Sequence, residues 1–132
     1  MSGTETIVRS IYMAFELSDL SAVLDVLDPQ IKWTEATRSP YYHGEVEGRD
    51  AVVKTVLDPI ARDFENFIIS PTDFLTDGDR CAAFGHYSGL VRLTGHELSA
   101  NFVHLWTVRN GLLVCFRQYT DTAAWSEACS RH

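Results

Sequence analysis

Basic residues are scarce in this chain: eleven Lys and Arg stand against eighteen Asp and Glu, a net charge of −7. They form no cluster, and the aromatic residues are not interleaved with them. The composition therefore argues against nucleic acid and against anionic membrane surfaces as partners. Cysteine is scarce too. Cys81, Cys115 and Cys129 are odd in number and far apart, with no CxxC or Cys/His zinc spacing. That pattern predicts reduced, mostly buried thiols in a cytoplasmic protein rather than a disulfide framework or a structural metal. His43, His86, His96 and His104 show no HxH or HExxH spacing, so no metal site is expected. No glycine-rich phosphate loop occurs, and no cofactor is expected. No run approaches the roughly 18 apolar residues of a membrane span. Met1 to Glu5 lacks the positive and apolar regions of a signal peptide. Without repeats, linkers or low-complexity stretches, residues 1–132 read as one domain around one core.

What is present begins with Ile31-Lys32-Trp33-Thr34-Glu35. Side chains alternate across a strand, so Ile31, Trp33 and Glu35 share a face. A carboxylate beside an indole must be hydrogen-bonded, partly solvated or protonated, because a bare buried charge is costly. Two readings stay open. Glu35 is a desolvated acid whose raised pKa suits proton transfer near neutrality, or a rim residue that reaches water past Trp33.

The rest of the chain divides by periodicity. Ser2-x-x-Glu5 is a capping box ahead of a helix carrying Val8, Tyr12 and Phe15 on one side. Leu20, Val23, Leu24 and Leu27 form a second amphipathic stripe, ended by Asp28-Pro29. Residues 37–48 read as a loop. Gly48-Arg49-Asp50 opens a third helix reaching Phe64, which Pro59 should kink or split. The period then becomes alternating. Strands are expected at 67–75, 81–93, 97–109 and 112–120, joined by turns at Asp77-Gly78-Asp79, Thr94-Gly95 and Asn110-Gly111. Gly85 and Gly89 inside one strand predict bulges or strong bending. A short helix over 121–128, capped by Thr120 or Asp121, closes the chain. Helices set against an antiparallel meander mean an α+β fold, with a cavity between helices and a curled sheet.

Tyr12-x-x-Phe15, Asp19-Leu20, Trp33-x-Glu35, Gly44-x-x-x-Gly48, Asp77-Gly78-Asp79, Thr94-Gly95, His104-x-Trp106, Asn110-Gly111 and Gln118-Tyr119-Thr120-Asp121-Thr122 together resemble the SnoaL-like polyketide cyclases. These belong to the NTF2-like, ketosteroid-isomerase-related superfamily, and the resemblance spans nearly the whole chain. It implies a cone-shaped α+β barrel, a curved antiparallel sheet wrapped around N-terminal helices with an internal pocket, and a homodimer paired through the sheet. It implies that Glu35 lies near the general base of ketosteroid isomerases, and Asp121 where SnoaL-type cyclases carry an acid/base aspartate. Tyr12 falls near the helix-one tyrosine of the isomerases. Where those enzymes place a protonated aspartate, just before His104, this chain has Val103, so a faithful steroid isomerase is not expected.

Glu35, His104 and Asp121 are therefore the candidate catalytic residues, drawn from three elements. Carboxylates with a histidine suffice for proton abstraction beside a carbonyl and reprotonation elsewhere, as in isomerisation, cyclisation or dehydration. Each has a plainer alternative: His104 a satisfied core histidine between Phe102 and Trp106, Asp121 a helix cap worth about 1 kcal/mol. If catalytic, His104 should reach Glu35 or Asp121 directly or through one water. Trp33, Tyr12, Phe15, Tyr42, Trp106, Gln118 and Tyr119 are the candidate ligand-binding residues. Gln118 and Asp121 have opposite strand parity, so both face one pocket only if the strand ends or bulges between them. His86 ranks below His104. The function expected is general acid/base chemistry on a small hydrophobic, oxygenated ligand. A non-catalytic binding or dimerisation module of the same shape is the alternative.

Overall fold

A computed structural model describes residues 3–130. Helix α1 (Gly3–Glu16) and helix α2 (Leu20–Val26) lead into β1 (Leu27–Thr34) and the short β2 (Glu45–Glu47). Helical turns follow as α3 (Arg49–Val52), a π-helical segment (Val53–Leu57) and α4 (Asp58–Asp63). Strands β3 (Phe64–Asp77), β4 (Arg80–Val91), β5 (Glu97–Arg109) and β6 (Leu112–Thr120) come next, and α5 (Thr122–Cys129) closes the described chain. The capping box expected from Ser2 lies outside the described residues.

The six strands form one curved, unclosed sheet in the order β2-β1-β6-β5-β4-β3. The meander from β3 to β6 is antiparallel, as the alternating pattern predicts. Asn110 and Gly111 both have positive φ, 53° and 78°, the combination that a two-residue hairpin matching the strand twist requires. Sequence periodicity did not reveal two pairings. β1 runs parallel to β6, and β2, inside the expected loop, pairs antiparallel with β1. Leu27 and Pro29, read as the end of α2, belong to β1. The β1–β6 register skips between Leu27 and Lys32, and Pro29, which has no N–H to give a ladder, falls in that skip.

Helix α1 lies against the sheet and buries Val8, Ile11, Tyr12 and Ala14. Asp19 caps α2 by accepting from the Ala22 N–H at 3.0 Å. At Pro59 the chain stays helical, but its hydrogen-bond register changes. The five-residue π-helical segment ends two residues before Pro59, which then occupies the first turn of α4, where no N–H is needed. The interruption is therefore one of register.

Strands β3 and β4 slip register between Glu65 and Ile68 and between Pro71 and Asp73, irregularities of the kind that bend a strand. Gly85 sits opposite the second slip. A Cβ there would lie 2.3 Å from the Ser70 carbonyl oxygen and 2.5 Å from the Phe102 ring. The backbone contact cannot give way without moving β3. We predict that Gly85→Ala lowers stability by roughly 1–3 kcal/mol, measured by urea unfolding. An unchanged midpoint would mean that the bend does not depend on this close approach.

Candidate active site

Between the concave side of the sheet and the helices lies a cavity of about 290 Å³. Its walls are mostly aromatic. Trp33, Phe67, Tyr87, Trp106 and Phe116 come from strands, and Trp125 from α5. Phe15, Val23, Val56, Leu57 and Ile60 complete the helical side. Polar groups are few: Glu35, Tyr87, His104 and Gln118 lie inside, while Ser18, Asp19 and Asp58 are exposed at the opening.

Glu35 lies one residue past the end of β1, on the face it shares with Ile31 and Trp33, and is 5% exposed. Its carboxylate accepts one hydrogen bond, from Trp33 Nε1 at 3.0 Å. Trp33 is itself stacked on Phe116, ring centroids 3.9 Å apart, and set edge-on to Trp106 at 5.7 Å. The same indole thus shields the acid from water and supplies its hydrogen bond. Burial pushes the Glu35 carboxyl up from 4.5 to about 7, against a smaller downward pull from the Trp33 N–H.

His104 is 3% exposed and both its ring nitrogens are engaged. Nδ1 meets the Tyr12 hydroxyl at 2.6 Å, and Nε2 meets the Tyr87 hydroxyl. Trp106 Nε1 donates to the Tyr12 oxygen at 2.9 Å, and Gln118 Nε2 donates to the Tyr87 oxygen at 2.9 Å. Gln118 Oε1 in turn accepts from the Ala36 backbone N–H at 3.0 Å. Burial holds the imidazole pKa well below its ordinary value of 6.5, so the ring is neutral. Burial likewise keeps the Tyr12 and Tyr87 phenols protonated.

The structure brings together Glu35, His104, Trp33, Phe15, Trp106 and Gln118 around the cavity. Four other candidates stand elsewhere. Tyr12 lies behind His104 rather than among the lining residues. Tyr42 is 42% exposed; its neighbour Tyr41 turns inward instead, donating to Asp63 Oδ2 at 2.9 Å. Tyr119 is 52% exposed, because Gln118 takes the inward parity on β6. Asp121 caps α5, accepting from the Ala124 N–H at 3.2 Å, and borders a separate shallow hollow with Phe84, Val103 and Tyr119. Glu35, His104 and Asp121 therefore do not converge. His104 makes no direct bond to either carboxylate, its two nitrogens being taken by the tyrosines.

Tyr87 is the polar residue that the sequence reading passed over. Its parity with Cys81 and Ala83, both buried, was the available signal. Its neighbour His86, of opposite parity, is held between Asn101 Oδ1 and Ser99 Oγ, each at 3.0 Å. Among the described residues no group of three His, Cys, Asp or Glu side chains is placed to hold a metal ion.

A family model described as a SnoaL-like domain matches residues 8–116. No curated protein sequence matches this chain. Among solved structures, an NTF2-like protein from Burkholderia thailandensis is 28% identical, with 98% of this chain and 99% of that chain covered and a TM-score of 0.92. An NTF2-like protein of unknown function from Burkholderia pseudomallei is 30% identical over 98% of this chain and 99% of that one, with a TM-score of 0.89. TerC, co-crystallised with polyporic acid, is 23% identical over 96% and 98% of the two chains, with a TM-score of 0.84.

The raised pKa of Glu35 has a consequence for stability. Between pH 4.5 and about 7 the folded chain holds a proton on Glu35 that the unfolded chain releases. Its contribution is full below pH 4.5 and is lost as pH rises through about 7. Relative to Glu35→Gln, the wild type should lose about 1.4 kcal/mol of stability per pH unit across that window. Urea unfolding at a series of pH values checks this. Parallel curves for the two proteins would mean that Glu35 titrates as an ordinary carboxylate.

Proposed function

The chain belongs to the SnoaL-like family, and on that premise we propose that it is a cofactor-independent enzyme that moves a proton beside a carbonyl group. The substrate is a small, hydrophobic, oxygenated molecule held in the aromatic cavity. The observation that carries this reading is Glu35: a carboxyl in a largely apolar cavity, with one hydrogen bond and a pKa of about 7. A base of that strength is half-ionised at neutrality, where proton removal and return are both accessible. Glu35 takes the proton from the carbon next to the carbonyl, and the C–H electron pair moves toward the carbonyl oxygen. The resulting enolate is reprotonated at another carbon, closes onto a second carbonyl, or expels a leaving group. These are isomerase, cyclase and lyase outcomes of one step.

Asp121 has no part in this proposal, since its carboxylate is spent on α5 and lies off the cavity. His104 serves as a positioning residue between the two tyrosines. The alternative is a binding module of the same shape, which the exchange experiment below separates from an enzyme. We also infer a homodimer paired through the outer face of the sheet, where Val103 and Leu105 are half-buried and Tyr119 is exposed. Sedimentation should give twice the chain mass; a monomer at high concentration would contradict it. The free thiols Cys81, Cys115 and Cys129 fit a reducing, cytoplasmic setting.

The test uses β-tetralone, a flat bicyclic ketone with acidic α-hydrogens, in heavy water. We expect the protein to exchange those hydrogens for deuterium, faster as pH rises through about 7. Glu35→Gln should be slower by roughly a hundredfold or more. If β-tetralone binds yet exchanges no faster than in buffer, the binding module is the better description.

A further inference from the structure

The network around His104 has two ends of fixed polarity. An indole N–H can only donate, so the Tyr12 oxygen accepts from Trp106. A backbone N–H can only donate, so Gln118 must present its oxygen to Ala36 and its NH₂ to Tyr87. The Tyr87 oxygen therefore accepts from Gln118. Between these ends lie two contacts, Tyr12 to His104 and His104 to Tyr87. Three protons are available for them: one on each phenol and one on the neutral imidazole. One proton is left over.

Only two arrangements are open. If His104 carries its proton on Nδ1, it donates to Tyr12, Tyr87 donates to Nε2, and the surplus O–H is that of Tyr12. Tyr12 and Tyr87 are equally buried, but Tyr12 does not line the cavity, and among the described residues its hydroxyl has no other acceptor. A buried donor left without a partner costs about 1–3 kcal/mol. If His104 carries its proton on Nε2, Tyr12 donates to Nδ1, Nε2–H donates to Tyr87, and the surplus O–H belongs to Tyr87. Tyr87 lines the cavity, and its hydroxyl proton then has no acceptor among the described residues.

We propose that Tyr87 is a directed hydrogen-bond donor to the ligand, held in that role by the chain from Trp106 through Tyr12 and His104. Its oxygen accepts two hydrogen bonds from the protein, so it meets a ligand only as a donor. The cavity therefore selects ligands that place an acceptor, a carbonyl or enolate oxygen, against Tyr87. This rests on reading the cavity as the site for an oxygenated ketone, and it gives that reading its second polar contact. Glu35 works on the carbon, while Tyr87 holds the oxygen on which charge develops.

Three measurements test it. Nitrogen-15 NMR of the wild-type imidazole should show His104 as the Nε2–H tautomer; the Nδ1–H tautomer would overturn the proposal without any variant or ligand. In the second, β-tetralone is compared with tetralin, the same bicycle without the carbonyl. Tyr87→Phe should weaken β-tetralone binding roughly tenfold and leave tetralin binding unchanged. The carbonyl stretch of bound β-tetralone should lie at lower frequency in the wild type than in Tyr87→Phe. Equal losses for both ligands, or an unshifted stretch, would overturn it. Glu35→Gln separates the two claims: it should slow deuterium exchange by roughly a hundredfold or more and keep the carbonyl shift. Exchange without the shift sinks only the role of Tyr87, and the shift without exchange sinks only the role of Glu35.

Discussion

The cost of burying one carboxyl organises this molecule. Glu35 is carried into the cavity by the same alternation that buries Ile31 and Trp33, and among the described residues the only hydrogen bond it receives comes from the indole two residues before it. Trp33 cannot turn away without leaving the acid unpaired. It is pinned from the other side by Phe116 and Trp106, so the ring, its N–H and the carboxyl are fixed together. A second strong donor would have lowered the carboxyl pKa and made Glu35 a permanent anion. The sparse donation leaves it near neutrality, where it can hold or release a proton.

His104 solves a different problem. Helix α1 packs on the sheet through apolar contacts, and near its start the Thr76 hydroxyl of β3 donates to Glu5. The Tyr12 hydroxyl adds a directional link from α1 to β5 through His104, and Tyr87 extends it to β4. Trp106 and Gln118 close the two ends, and no buried side-chain polar atom among the described residues is left unpaired. A network whose contacts leave one hydroxyl proton over specifies one arrangement of its members. Here it also decides which phenol faces the ligand space as a donor.

Local signals in the sequence carried the antiparallel meander, the Asn110-Gly111 hairpin and the shared face of Trp33 and Glu35, because each rests on alternation or turn chemistry within a few residues. The parallel pairing of β1 with β6 was hidden, since it joins segments some eighty residues apart and leaves no local mark. Tyr41 and Tyr42 could not be told apart, because a loop has no parity; Tyr41 turns in onto Asp63, Phe64 and Trp125. Asp121 illustrates a competition that sequence leaves open. A carboxylate at a helix start can cap or catalyse, and in three dimensions Asp121 caps α5 and lies off the aromatic cavity. Tyr87 was legible by parity but overshadowed by the adjacent histidine. The family likeness implies the shape of the fold, while the wiring of Trp106, Tyr12, His104, Tyr87 and Gln118 depends on contacts between distant elements.

The central claim is that Glu35 is a proton carrier poised at neutrality by its surroundings. Its most direct test is a carbon-13 NMR titration of the glutamate side-chain carboxyls, with the Glu35 signal assigned by its absence in Glu35→Gln. The account predicts a midpoint near 7 for that carboxyl. A midpoint at the ordinary 4.5 would contradict it, and would mean that water or an unseen donor reaches Glu35 within its aromatic enclosure.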